Sequence, residues 1–321
     1  MKKLASIIIS VVILGLLYQF LDREALFKAL RQTDLQLLSL SLVFLVILVL
    51  LSGLRLFYLG TCSGLHMSPA KAVEATFAAN ALNIFLPGKL GDILKATLLV
   101  EGDTKRLRSA ITLTVWEKLS DLAMLFLVAT ISFSFAAGNA NGVLLMGFLT
   151  AFCLGVLISP KLTSALGYAF SKSILHKSLT IRELLDAWLL LQKKLIAGRL
   201  SLLSLLGLSF IFCAGHILQI CLMIRALGIS ADFVMWANIV SLIPIAIVAG
   251  LIPLTFAGIG TRDAALVLLL GGFIGKEAAA ALGILFWLRY LVPGILGVPL
   301  LPKFMRVTMT HVAERKSRGA K

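Results

Sequence analysis

The chain has 321 residues, 60% of them hydrophobic and only 14% charged, with a mean hydropathy of +1.01. Soluble domains run at about 45–50% apolar and about 25% charged, so this composition excludes an ordinary soluble protein and specifies an integral membrane protein. The formal net charge of +15 resides in loops and tail, and no basic stripe with interleaved aromatics stands outside the apolar segments, which excludes a nucleic-acid partner.

Residues 4–21 follow Met1-Lys2-Lys3 in the manner of a signal peptide, but no small-x-small cleavage pattern follows, so they are expected to stay as a first span. A charged amphipathic link, 22–34, leads to a second span, 35–60. The stretch 72–100 is apolar but interrupted: Pro87, Gly88 and Gly91 break its middle, and Asn83, Lys89, Asp92 and Lys95 crowd around the break. Irregular backbone at membrane depth persists only where it is buried in protein or lines a watery cavity, because lipid offers freed peptide groups no hydrogen bonds. Two half-helices meeting at Pro87-Gly88 are therefore expected.

A basic loop, 101–108, precedes the third span, 111–137, and a short polar link precedes the fourth, 143–159. Residues 161–199 carry basic side chains and end in an amphipathic helix through Leu195, expected to lie at the membrane interface. The fifth span is 200–224. The stretch 233–270 repeats the interrupted design, with Pro253, Gly258, Gly260, Arg262 and Asp263 at its break, and 278–301 is the sixth span. Residues 303–321 form a basic tail. The four cysteines, Cys62, Cys153, Cys213 and Cys221, lie in or beside apolar segments without CxxC spacing and read as buried hydrophobes, not as a disulfide or metal set.

With Met1 cytoplasmic, the basic segments 101–108 and 160–199 and the tail all fall in the cytoplasm, provided that each interrupted stretch returns to the side it entered from. The expected fold is thus all-α, with six transmembrane helices, two re-entrant broken-helix hairpins, and both termini cytoplasmic in the cell membrane. Pro87 to Val100 aligns without a gap on Ala257 to Leu270. Each half reads span, link, span, broken hairpin, span. Three crossings in residues 1–140 make the second half, 141–302, an inverted repeat of the first, and paired broken segments of this kind point to a binding site near the midplane.

Both second half-helices start near mid-membrane, around Gly91 and around Gly260-Thr261. Helix N-termini present free amide hydrogens and the positive end of the macrodipole, which suits a phosphate group. The candidate substrate-binding residues are Asn83, Pro87, Gly88, Lys89, Gly91 and Asp92 in the first hairpin and Gly258, Gly260, Arg262 and Asp263 in the second. Asp92 and Asp263 stand in first turns, where a capping role is equally open. Glu117 and Asp121 lie one turn apart, about 10–15 Å into the third span at ~1.5 Å per residue, and Arg289 is at similar depth in the sixth. Ionisable groups so placed pair or function, so a Glu117/Asp121 to Arg289 network is expected. Arg55 and Arg225, near span ends, are expected to snorkel to the interface, and the lone His216 reads as a satisfied core histidine. No nucleophile with its base, nucleotide-binding loop, metal constellation or cofactor motif appears, so the chain is expected to be no enzyme and any transport to run downhill or on an ion gradient.

Asn83 to Asp92, Trp116 to Asp121, Pro253 to Asp263 and Arg289-Tyr290 resemble the signature blocks of the lysylphosphatidylglycerol synthase transmembrane-region family, flippase-like proteins that include the flippase half of the multiple peptide resistance factor. Asp263 stands where that family more often has Glu. The resemblance implies movement of an anionic phospholipid or polyprenyl-phosphate-linked headgroup between leaflets, with membrane lipids as partners. The chain stops soon after its last span, so aminoacylation of lipid by this chain is not expected. An ion-coupled small-solute transporter, or a scaffold for a separate lipid-modifying enzyme, are the rival expectations.

Overall fold

The computed structural model describes residues 2–19, 21–86, 90–100, 104–136, 140–171, 179–251, 255 and 258–304. Among these every regular element is helical. Pro87, Gly88, Lys89 and Pro253, singled out above at the two breaks, lie outside the described residues, as does the tail beyond Phe304.

Helix α1 (Lys2–Gln19) leads to a short amphipathic helix, α2 (Arg23–Arg31), and then α3 (Leu35–Ser63). Polar residues set the starts. Asp22 accepts from the amides of Glu24 and Ala25, and Asp34 from those of Gln36 and Leu37, so the orphan donors of each first turn are met by a side chain. The first interrupted stretch is α4 (Pro69–Phe85), capped by Ser68, followed by α5 (Leu90–Val100). α6 (Thr104–Phe135) starts seven residues ahead of the expected third span, taking part of the basic loop into its first turns. Then come α7 (Ala140–Ile158) and α8 (Pro160–Ser171), the latter a further helix ahead of the expected amphipathic one. α9 (Leu179–Ala197) is the expected amphipathic helix. It packs on α3 and α6 and buries Leu191 and Leu195, while buried Gln192 donates to the Val156 carbonyl of α7 and the Thr163 hydroxyl of α8, so the helix belongs to the bundle.

α10 (Arg199–Ala226) leads to the second interrupted stretch, α11 (Phe233–Ala249) and α12 (Thr261–Ile274). The expected sixth span is two helices, α13 (Lys276–Phe286) and α14 (Leu288–Gly297), followed by one 3-10 turn, Val298–Leu300. The division is a tight turn at Trp287, whose amide donates to the Ile284 carbonyl and whose carbonyl accepts from the Tyr290 amide, both three residues apart.

The start of α3 is tied to the end of α10, the amide of Asp34 donating to the carbonyl of Ala226 over 2.8 Å; the two helices pack side by side and run antiparallel. The arms of each interrupted stretch pack on one another, α4 on α5 and α11 on α12. Each first arm also packs on a helix of the other half: α4 on α14, and α11 on α6. These contacts are close because small residues stand at them. A Cβ on Gly91 would lie 2.4 Å from the carbonyl oxygen of Ala79, and one on Gly297 would lie 2.0 Å from that of Phe77. Without a hydrophobic drive between helices in lipid, such backbone approaches supply the packing energy.

Among the described residues, five stretches are long and apolar enough to cross a membrane: Leu35–Ser63, Arg106–Phe135, Ala140–Ile158, Arg199–Ala226 and Lys276–Phe304. The stretch Ile8–Gln19 of α1 is apolar but shorter. Large hydrophobic side chains stand exposed on these helices, Leu144 at 71% and Leu203 at 66% among them. A soluble monomer does not carry such a surface; an all-helical integral membrane protein requires it.

Candidate functional site

A cavity of about 610 Å³ opens between the two halves, with walls from α3 to α6 and from α10 to α14. Asn83, Asp92, Asp121, Arg262 and Arg289 of the expected site line it, together with Lys95, Lys118 and His216. Part of the wall is apolar and exposed: Ile93 at 53%, Val115 at 47% and Leu251 at 42%.

On one side lies a buried ionic cluster. Glu117 accepts from Lys95 Nζ at 2.7 Å, from Arg55 Nη2 at 3.2 Å and from the Ser52 hydroxyl at 3.3 Å. Arg55 also forms an ion pair with Asp121 through Nη1. Glu117 and Asp121 project from one face of α6, one turn apart, and hold the same guanidinium between them. The arrangement corrects two expectations. Arg55 does not snorkel: it is 2% exposed and lies deep in the bundle. Its carboxylate partners are those assigned from the sequence to Arg289, which the packing places elsewhere. The reason is depth: Arg55 is eight residues before the end of α3, about 12 Å at ~1.5 Å per residue, too far inside for its side chain to reach water at the helix end. Arg225, by contrast, is exposed at the end of α10.

At the start of α5, Asp92 accepts from Asn83 Nδ2 at 3.1 Å and pairs with Lys118 Nζ at 3.2 Å. Lys118 is 43% exposed, so this pair sits at the accessible part of the cavity. Gly91 lets α5 approach α4 closely enough for the Asn83 to Asp92 bond.

At the second hairpin, α12 begins at Thr261, as its sequence suggests. Gly258 and Gly260 have φ of 75° and 97°, left-handed values that glycine adopts without strain. Asp263 caps the turn, accepting from the Gly260 amide at 3.0 Å, and its other oxygen accepts from Arg262 Nη2 at 2.7 Å. Arg262 is 1% exposed and lies over the rings of Phe286, at 4.9 Å, and Tyr290, at 5.5 Å. Its Nη1 has no hydrogen-bond partner among the described residues.

Arg289 meets the same Phe286 ring at 4.7 Å and places Nη2 2.7 Å from His216 Nδ1. The His216 ring packs edge-on to Phe212 at 4.5 Å, and Arg55 lies over Phe212 at 4.4 Å. Cations and rings thus alternate from α3 through α10 to α12 and the α13–α14 junction. Sequence reasoning left Arg55, Lys118 and His216 out of the site and mentioned Lys95 only as a neighbour of the first break. The depth criterion that singles out Glu117 applies equally to Arg55 and Lys95.

A family model described as "Lysylphosphatidylglycerol synthase TM region" matches residues 3–297. No curated protein and no solved structure matches the chain.

Proposed function

The chain belongs to the lysylphosphatidylglycerol synthase TM region family, and from that premise we infer that it moves an anionic, phosphate-bearing lipid headgroup between leaflets through the cavity between its halves. The observation that carries this reading is a largely apolar cavity that carries a few charged and polar groups and an exposed apolar flank. Lys118 and Arg262 supply charge, Asn83 an amide, and Ile93, Val115 and Leu251 a wall against which acyl chains can remain while the headgroup enters. A closed aqueous pocket would suit a small solute instead.

The inverted-repeat reading belongs to the same proposal. It has the support of antiparallel α3 and α10 and of the reciprocal packing of each hairpin's first arm on a helix of the other half. Two such halves provide the alternating access that a headgroup needs. In this reading α1 crosses the membrane as well, which brings the crossings to six, the two hairpins are re-entrant, and both termini face the cytoplasm of a cell membrane. The protein moves lipid without modifying it.

The test is movement of a fluorescent phosphatidylglycerol across vesicles containing the purified chain. Flux that falls in both the Arg262→Ala and Glu117→Ala variants, each still folded, agrees with this function; unchanged flux in both defeats it. Ion-coupled transport of a small solute is the second reading, favoured by the buried Lys95–Glu117 pair, and solute uptake without lipid movement would select it.

A further inference from the structure

The ionic partners in the cavity do not balance. Lys95 and Arg55 are held by Glu117 and Asp121, Lys118 by Asp92, and Arg262 by Asp263. Among the described residues no carboxylate lies within ion-pair reach of Arg289. Its hydrogen-bond partner is His216 Nδ1 at 2.7 Å, and a guanidinium only donates, so that nitrogen must accept and carry no proton. Phe286 covers one face of the guanidinium. The described cluster around the cavity therefore holds one positive charge more than its carboxylates offset, at a depth where an uncompensated charge is costly.

We propose that Arg289, oriented by His216, is the anchor for the charged group of the ligand, and that this group is a monoanionic phosphodiester. Among the described residues one negative charge closes the balance and a phosphate dianion exceeds it, and a headgroup with no net charge would bring its own cation beside Arg289. The planar guanidinium suits two phosphate oxygens at once, with the His216 bond fixing its orientation. Arg262, whose Nη1 has no partner among the described residues, shares the Phe286 ring with Arg289 and offers a second donor beside it. This rests on the headgroup reading above and adds to it the residue and the charge class.

Binding to the detergent-purified full chain tests it with four probes: dihexanoyl phosphatidylglycerol, glycerophosphoglycerol, inorganic phosphate and dihexanoyl phosphatidylcholine. The expected order places phosphatidylglycerol first and phosphatidylcholine last. Glycerophosphoglycerol binding well above inorganic phosphate identifies the diester as the recognised group, and tighter binding of the two-chain form identifies a lipid as its source. R289Q should weaken phosphatidylglycerol by about 30-fold or more, R289K by less, and H216Q, which keeps an acceptor, should bind more tightly than H216L. If R289Q does not fold, R289K and the His216 pair decide: affinities equal to the original protein in all three overturn the assignment. Phosphatidylglycerol binding that R289Q leaves unchanged overturns the Arg289 anchor alone. No binding of any probe by the original protein overturns the headgroup reading as well.

Discussion

Lys95 donates to Glu117 across 2.7 Å, joining the second arm of the first hairpin to α6 where both side chains are almost wholly buried. The same carboxylate also takes Arg55, so one anion compensates parts of two cations. Removing it leaves both without an equal partner in a medium that cannot solvate them. Glu117→Gln should lower stability by about 3–5 kcal/mol, read as a lower unfolding midpoint in detergent, and adding Lys95→Met to it should restore part of the loss. A Glu117→Gln protein as stable as the original would show that the pair contributes nothing.

The Lys118–Asp92 pair behaves differently because Lys118 is 43% exposed. Solvent screening reduces such a pair to about 0–1 kcal/mol. Lys118→Ala should therefore leave the unfolding midpoint nearly unchanged while slowing headgroup movement, since a charge at the accessible part of the cavity is lost. A fall in stability matching that of Glu117→Gln would contradict its placement.

At the second hairpin the Asp263 carboxylate caps Gly260 and neutralises Arg262. Asp263→Asn retains an oxygen for the cap but not the charge, so Arg262 becomes a buried cation without its partner. A loss of about 3–5 kcal/mol is expected, and Asp263→Glu, which keeps the charge, should retain more stability. Thermal unfolding of the two variants side by side checks the order.

Gly297 and Gly207 separate packing from helix propensity. A Cβ at Gly297 would lie 2.0 Å from the Phe77 carbonyl oxygen, whereas one at Gly207 meets nothing within 4 Å. Gly297→Ala should cost about 1–3 kcal/mol by forcing α14 from α4. Gly207→Ala should be neutral or stabilising by about 0.5–1 kcal/mol. Equal effects in the two variants would mean that α14 and α4 do not approach as described.

Single cysteines introduced at Arg106 and Gly272, both exposed, in a background lacking the native four, test the inverted halves. Labelling by an impermeant reagent from opposite sides of the membrane is expected. Reaction of both positions from one side would remove the re-entrant arrangement and the alternating access built on it.

The sequence by itself determined the membrane class, the long apolar helices, the two interruptions and the start of the second half-helix near Gly91 and at Thr261. These follow from hydropathy, glycine and proline placement and charge position, all properties that act along a short stretch of chain. It also singled out Glu117, Asp121 and Arg289 as charges too deep to be incidental, and Arg262 as a cation at the start of the second half-helix. The tertiary structure alone decided which of them meet. Arg55 reaches Glu117 from 62 residues away, and Arg289 turns to His216 across 73. Such pairings depend on the rotation and crossing of helices from separate parts of the chain, set by close backbone contacts such as Gly297 against Phe77. A charge buried in an apolar helix is costly wherever it points, so its cost marks its importance but not its partner.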